Sequence, residues 1–362
     1  MMMELVRGIK YYIFRVAYIM VALFAVSCDE EDFEPGDLML RNLTQEEQQL
    51  INASNQYAID LLALQAQSRS QAVFSPLGIG MSLSLFQNAA NGDQRRAIGN
   101  ELGTQIPPYK LNKSFYKLLT MIDAVGDDRN MFLRNSIWHR NVMDLDPVFE
   151  SVAMAYYQTE VYPIDFKREK SNSKVKEWVY LNSDGKMESA SDFSITDDLR
   201  FVSIMSLESG IETSRMKYFS DEKVQYWEAP LTIGPVSIQV ILPNEPLSEA
   251  SEDMHLGLME FYHKKALPAK SGFPVQQLQF SDNVEVSQFF KLKQDNNILL
   301  ERLFAKPSDI DKIKIEQKLQ IKLGASTPVN IDFNIPNNTS GLFFITDNHT
   351  RSILFCGIFN GN

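Results

Sequence analysis

The alternation of apolar and polar positions is clearest towards the C-terminal end of the chain. Residues 318–323 alternate between lysine or glutamine and an aliphatic side chain, which is the period of two typical of a half-buried β-strand. Small residues then lead to Pro328, and a second alternating run follows over residues 329–335. A turn-forming cluster over residues 336–341 precedes an apolar segment. The pattern predicts two strands joined by a short loop of small residues, just before a C-terminal hairpin.

Helical patterns dominate the first half of the chain. Residues 43–65 predict a helix, and Thr44 and Glu47 have the spacing of a capping box at its start. A second helix is predicted over residues 80–90, where an Asn-Gly pair ends it, and a third over residues 147–157.

Strand patterns with short turns dominate residues 224–242 and 312–359. The almost unbroken apolar run over residues 352–359 predicts a central strand that is buried on both faces. Helices followed by strands predict an α+β fold, and no linker divides residues 43–362, so we expect a single domain there. We expect five residues to share one contiguous core: Phe74, Leu77, Trp178, Phe344 and Phe355.

Composition is that of a soluble globular protein with a large core: 362 residues, 44% hydrophobic and 22% charged. The net charge of −11 argues against binding to nucleic acid or to an anionic membrane surface, since both require a basic face. Two cysteines are too few for a disulfide framework, and Cys356 is expected to be a lone thiol in the core.

The N-terminus has the pattern of an export signal. Basic residues precede an apolar run over residues 16–26 that is too short to span a bilayer comfortably. The four residues ending at Cys28 resemble a bacterial lipobox, and the acidic residues 29–34 resemble the surface-export signals of Bacteroidetes lipoproteins. We therefore expect a signal peptide over residues 1–27, lipidation at Cys28, and an acidic tether over residues 28–42. A plain signal peptide or a signal anchor is the alternative.

No catalytic motif stands out. Ser75 lies in no Gly-x-Ser-x-Gly elbow, and the histidines have no zinc-ligand spacing. Gly185-Lys186 lacks the other residues of a phosphate-binding loop. We expect no enzymatic activity, no catalytic residue, no metal and no cofactor.

Several motifs resemble those of the serpin family, and they follow the family's order over residues 43–360. Val73–Ile79 resembles the buried strand and helix start, and Leu133–Trp138 resembles the strand that carries a buried asparagine. Val236–Glu245 resembles a strand ending in Ile-Leu-Pro-Asp-Glu, and Phe343–Gly357 resembles the terminal hairpin. The resemblance implies a serpin fold, with a helical N-terminal half packed on antiparallel β-sheets and a C-terminal β-hairpin buried in the core.

The resemblance also implies a function, which is inhibition of a serine or cysteine protease by a monomer tethered to the periplasmic or outer face of a bacterial envelope. Inhibitors of this family act by strand addition: the protease cuts a reactive loop, and the loop enters a β-sheet. The resemblance places the reactive-loop region at Gly324, Ala325, Ser326, Thr327, Pro328 and Val329. It places the sheet-opening region at Ser75, Gly78, Asn135 and Gln317.

Three departures from the family pattern favour an alternative. Gly78 stands where serine is usual, and Gln317 stands where histidine is usual. A hairpin that follows the long strand beginning near residue 199 is missing. The loop is short and contains Pro328, which lacks the N–H that a central strand needs. The alternative is a non-inhibitory serpin-like lipoprotein that acts as a binding or scaffold protein.

Overall fold

The computed structural model describes most of the predicted single domain. The described residues are 43–125, 130–187, 194, 197–269, 273–275, 277–285, 300, 302–306, 313–325 and 340–360. The signal peptide, Cys28 and the acidic tether lie outside these residues. The helices are α1 (Gln45–Ala66), α2 (Pro76–Gln87), α3 (Gly92–Glu101), α4 (Pro108–Val125), α5 (Pro147–Tyr157), α6 (Glu169–Asn182), α7 (Leu247–Glu252) and α8 (Leu256–Lys265).

The strands form two sheets, and most of them lie in the second half of the chain. Strands β1 to β6 are Ala72–Phe74, Met131–Arg140, Thr159–Ile164, Leu199–Ile211, Lys217–Ser220 and Val224–Pro230. Strands β7 to β12 are Val236–Pro243, Leu267–Pro268, Gln277–Glu285, Ile313–Ala325, Ser340–Asp347 and Ile353–Asn360. Helices and strands are thus segregated as an α+β fold requires.

The seven-stranded sheet has the order β1-β12-β11-β7-β6-β5-β8, and all its neighbours are antiparallel. The terminal strand β12 lies between β1 and β11, and its residues from Ile353 to Phe359 are buried. The predicted central strand and buried C-terminal hairpin are therefore confirmed.

The five-stranded sheet has the order β3-β2-β4-β10-β9 and is mixed rather than wholly antiparallel. β2 pairs with β3 in parallel, and β4 pairs with β10 in parallel. Parallel neighbours need a crossover connection, and α5 lies between β2 and β3 in the chain. The alternation of apolar and polar residues along a strand indicates which side chains are buried, but it does not indicate whether neighbouring strands run parallel. The two parallel pairs were therefore not predicted.

Helix caps explain where the N-terminal helices begin. The Glu47 backbone N–H donates to the Thr44 hydroxyl at 3.2 Å, and the Thr44 backbone N–H donates to the Glu47 carboxylate at 2.8 Å, so the predicted capping box is confirmed. The second helix begins at Pro76, earlier than predicted, because the Ser75 side chain caps it and proline suits the first turn.

The core differs from the sequence expectation in one respect. Phe74, Leu77, Phe344, Phe355 and Trp178 are all buried. Trp178 of α6, however, belongs to a separate apolar cluster with side chains of β2 and β4, which does not include the other four. Because successive residues of a strand point to opposite faces, one strand can serve two cores. The expectation of one contiguous core was wrong for Trp178.

The connection between β4 and β5 is short. β4 ends at Ile211 and β5 begins at Lys217, and between them lies a single 3-10 turn over Thr213–Arg215. No strand lies in this connection, all of which is described. The predicted loss of a hairpin after β4 is therefore confirmed.

Candidate functional site

The candidate site is the boundary between β4 and β10, which we call the seam. Their parallel pairing runs from Leu199 opposite Ile313 to Ile211 opposite Ala325, without interruption. β10 ends at Ala325, and residues 326–339 then connect it to β11. A segment inserted between β4 and β10 would have to separate the two strands of the seam.

The reactive-loop region lies at the C-terminal end of this seam. Gly324 pairs with Gly210 of β4 and with Gln277 of β9, and Ala325 is the last residue of β10. A Cβ atom at Gly324 would meet no atom within 4 Å among the described residues, so packing does not require glycine there. Ser326, Thr327, Pro328 and Val329 lie outside the described residues.

Three of the four predicted sheet-opening residues are in contact behind the seam. The Gln317 amide of β10 donates from Nε2 to the Ser75 carbonyl at 3.1 Å, and its Oε1 accepts from the Ser75 backbone N–H at 3.3 Å. The Ser75 hydroxyl accepts from the Gly78 backbone N–H at 3.2 Å. Gln317 and Ser75 are completely buried, so both hydrogen bonds are shielded from water. β10 is thereby attached to the start of α2.

Gly78 and Gln317 are sterically complementary. A Cβ atom added at Gly78 would lie 2.4 Å from Gln317 Nε2 and 3.3 Å from Met205 Sδ. Side-chain atoms do not approach so closely, so a larger residue at position 78 requires that the glutamine move. The two departures from the family pattern therefore form one compensated change, in which the glutamine amide occupies the space that glycine leaves.

Asn135 lies in the same row of the sheet as Gln317. Asn135 of β2 is opposite Ser203 of β4, and Ser203 is opposite Gln317 of β10. The Asn135 amide donates to the Tyr157 carbonyl at 3.0 Å, at the end of α5. All three residues of this row are buried, so a polar row crosses the apolar interior of the sheet at the point where α2 contacts it.

Sequence reasoning missed Ser203. A serine inside the otherwise apolar run of residues 201–205 was the available signal. Its hydroxyl oxygen is buried and has no hydrogen-bond partner in the described part of the chain. Separation of the seam would change the surroundings of this hydroxyl, so Ser203 belongs to the sheet-opening region.

Ion pairs cross the seam near both ends, and the sequence did not predict them. Arg200 of β4 and Glu316 of β10 are each 1% exposed, with 3.7 Å between Nη1 and Oε2. At the other end Lys322 Nζ donates to Glu208 Oε1 at 3.0 Å in a more exposed pair. The Lys322 hydrogen bond lowers the pKa of the Glu208 carboxyl. Opening the seam would separate this buried pair, which costs free energy, although Arg200 keeps a second buried carboxylate, Asp197, at 3.6 Å.

Ser75 and Cys356 both have the buried surroundings of residues with a structural role. Ser75 is buried, and its hydroxyl is used as a helix cap. The Cys356 thiol is completely buried, and burial raises its pKa well above the usual range. Among the described residues, no group of three acidic, histidine or cysteine side chains is placed to hold a metal ion.

Predicted lipidation involves Cys28, which is outside the described residues. Within the described segments, no helix combines the length and the apolar character needed to cross a membrane.

A family model described as serpin (serine protease inhibitor) matches residues 52–207. An uncharacterised serpin-like protein of Methanosarcina acetivorans is 22% identical over 235 residues, which is 55% of this chain and 55% of that protein. Three mammalian relatives are matched over only 38%, 32% and 29% of their lengths. The chain therefore aligns with about half or less of the curated relatives it matches.

Solved structures match over nearly the whole fold. The mouse protein-Z dependent protease inhibitor has a TM-score of 0.76 at 16% identity, covering 90% of this chain and 99% of that one. Thyroxine-binding globulin in complex with thyroxine has a TM-score of 0.74 at 15% identity, covering 85% and 98%. At such low identity these similarities establish the architecture, and they do not establish what this chain binds.

Proposed function

Because this chain belongs to the serpin family, we propose that it is an inhibitor directed against a serine- or cysteine-type protease, and that the segment following β10 contacts that protease. The observation that carries the proposal is the seam: β4 and β10 pair directly, and β10 continues to Gly324 and Ala325, where the connecting segment begins. The similarity to a protease inhibitor of the same architecture supports the protease as the partner class.

The length of the connecting segment supports an inhibitor that does not insert its loop. β4 spans 13 residues, and residues 326–339 are all that joins β10 to β11. Insertion along the whole of β4 would need a cut beside β11, which is almost wholly buried. Pro328, near the start of the segment, lacks the N–H that a central strand needs. The inhibitor therefore holds its protease reversibly.

A second candidate is a non-inhibitory binding or scaffold protein. Two observations favour it: the connection between β4 and β5 lacks the hairpin of the family, and the segment after β10 is short. Thyroxine-binding globulin has the same architecture, and its structure is a complex with a small molecule rather than with a protease.

The proposed location is a bacterial cell envelope, where the monomer is held by lipid on Cys28. The sequence supports this location through the order of basic, apolar and small residues before Cys28, and through the acidic residues 29–34 after it. In this position the protein would meet proteases of the periplasm or the cell exterior.

The test is incubation with a panel of serine and cysteine proteases, with residual activity measured on a small peptide substrate. We expect at least one protease to be inhibited, activity to return on dilution, and no adduct to survive boiling in detergent. The double variant Ser326→Asp with Thr327→Asp should lose inhibition, whereas Ser220→Asp, an exposed serine at the end of β5, should retain it.

Two other outcomes of this assay would contradict the reversible inhibitor. Absence of inhibition across the panel would contradict the inhibitor and support the binding or scaffold protein. A boiling-resistant adduct would support the protease as partner but contradict the reversible mechanism, because it requires loop insertion.

A further inference from the structure

The C-terminal end of helix α6 exposes two large apolar side chains next to each other. Tyr180 is 52% exposed and Leu181 is 65% exposed, whereas Trp178 and Val179 of the same turn are buried. Earlier in the helix the exposed positions are polar or charged: Lys170, Ser173, Lys174 and Glu177. An amphipathic surface helix normally presents such polar side chains to water. Tyr180 and Leu181, which we call the apolar pair, therefore depart from the polar outer face of this helix.

The backbone holds this end of α6 in one conformation. The Tyr180 carbonyl accepts from the Gly185 N–H at 2.8 Å and from the Ser183 hydroxyl at 3.2 Å. Gly185 has a φ of 75°, in the left-handed region that favours glycine. A Cβ atom at Gly185 would lie 3.3 Å from Tyr180 Cζ, so the tyrosine ring lies over the glycine. An exposed ring that is already held in place loses little conformational entropy when a partner binds it.

Two ion pairs connect the turn after α6 to the seam. Lys186 Nζ lies 3.4 Å from Glu208 Oε2 of β4, and Glu208 Oε1 accepts from Lys322 of β10 at 3.0 Å. Lys322 is followed two residues later by Gly324, and β10 ends at Ala325. The apolar pair and the start of the connecting segment after β10 therefore lie at the same end of the five-stranded sheet.

The surface between these two features is open among the described residues. The connection between β4 and β5 contains only a 3-10 turn, so it places no strand over this end of the sheet. The hydroxyls of Ser209 and Thr232 form an exposed hydrogen bond of 3.1 Å, and the Glu208 side chain is 41% exposed. A protein that binds the segment after β10 can therefore extend its contact across β4 to the apolar pair.

The charges around the apolar pair are balanced. Glu177 lies one helical turn before Leu181, and the exposed Lys174 precedes it on the same face. Asp184 follows the helix, and Lys186 is compensated by Glu208. The attraction that this surface offers is therefore apolar rather than electrostatic, and it fits a partner that carries an exposed apolar patch.

We propose that the apolar pair is a secondary contact site for the protease, and that it selects a protease with an apolar surface beside its active site. This inference rests on the proposed function, because the segment after β10 must bring the protease to this end of the sheet. Tyrosine is enriched among the interface residues that contribute most to binding. The segment then sets which bond the protease approaches, and the apolar pair discriminates among proteases of similar cleavage preference.

The test uses the protease of the panel that the wild-type chain inhibits most strongly, with the inhibition constant measured on a small peptide substrate. Each protein is the full chain with Cys28→Ala, so that no lipid anchor requires detergent. The double variant Tyr180→Ala with Leu181→Ala should weaken inhibition about tenfold or more. Tyr109→Ala with Leu64→Ala, the same changes at side chains exposed on α4 and α1, should leave the inhibition constant unchanged. The loss should be the same at low and at high salt, because the contact is apolar.

Two further variants separate binding from folding. Tyr180→Phe keeps the ring over Gly185 and should inhibit like wild type. Leu181→Asp changes an exposed side chain, so it should weaken inhibition without lowering the melting temperature. Equal inhibition by wild type and by the variants of the apolar pair, or an equal loss in the control, would overturn this inference and leave the proposed function standing. Absence of inhibition by the wild-type chain across the whole panel would overturn both.

Discussion

At the scale of single residues, the close contact between Gly78 and the Gln317 side chain determines whether a larger residue is tolerated at position 78. Gly78→Ala should destabilise the protein by about 1 to 3 kcal/mol, because the new methyl group would overlap the Gln317 amide. Gly80→Ala on the same helix is the matched control. Its Cβ would meet Phe115 at an ordinary 3.6 Å, so it should be neutral or stabilising by up to about 1 kcal/mol. Urea denaturation of both variants measures the difference.

The same contact predicts coupling between the two positions. Gly78→Ser and Gln317→His recreate the residues that are usual in the family, and together they should cost less free energy of unfolding than the sum of the two single changes. A double-mutant cycle measures this coupling. Strict additivity would show that the two departures from the family pattern do not compensate each other.

A second residue-scale prediction concerns Cys28. If Cys28 carries lipid, the wild-type protein should fractionate with membranes and Cys28→Ala should be released to the soluble fraction, since each buried methylene of an acyl chain contributes about 0.8 kcal/mol. Cys356→Ala should stay with the membranes as the control, because this thiol is buried in the core. A Cys28→Ala protein that stays membrane-bound would instead indicate an uncleaved anchor helix.

At the scale of elements, the seam is held unequally at its two ends. Glu316→Gln should lower the free energy of unfolding by about 1 to 3 kcal/mol, because it removes one of the two buried carboxylates that Arg200 contacts, while Asp197 stays in place. Lys322→Gln, in the exposed pair at the other end, should cost less than about 1 kcal/mol. Equal effects of the two variants in urea denaturation would contradict this assignment.

Solution pH should act on the exposed end of the seam. The hydrogen bond from Lys322 lowers the pKa of Glu208 in the folded state, so its contribution to stability is present above the unfolded pKa and is lost as pH falls through the folded pKa. The Lys322→Gln variant should therefore differ from wild type at neutral pH and converge with it in acid. Stability curves of the two proteins against pH test this sign.

Elements that rest on local signals were predictable from the sequence. The capping box at Thr44 and the extent of α5 depend on neighbouring residues, and the structure reproduces both. The seam depends on residues far apart in the chain: Ser75 and Gln317 are separated by 242 positions, and Arg200 and Glu316 belong to different strands. In the sequence, each of these residues is a single polar position with no sign of its partner. Ser75 and Gln317 could therefore be predicted as site residues only through family resemblance. The ion pair between Arg200 and Glu316 could not be predicted.

At the scale of the whole molecule, cutting the segment between β10 and β11 should not produce a more stable protein. An inserted strand would replace the parallel pairing of β4 and β10 with two antiparallel pairings, which would raise the melting temperature substantially. The segment cannot reach along β4 without Pro328 and most of the chain up to β11. We expect limited proteolysis between Gly324 and Gly341 to leave the melting temperature unchanged or lower. A large rise after cleavage would restore the insertion mechanism.

The position of β12 between β1 and β11 in the seven-stranded sheet has a consequence for biosynthesis. Strand β1 begins at Ala72, yet its partner is Ile358, so an early strand has nothing to pair with until almost the whole chain has been made. The Asn55 side chain of α1 likewise binds the backbone at Arg351. Contacts between residues so far apart in the sequence make folding slow and concerted. They also keep the nascent chain from completing a stable domain before almost all of it has been synthesised. If the proposed export signal directs the chain through a translocation channel, this delay keeps the chain competent for export until its last strand has been made.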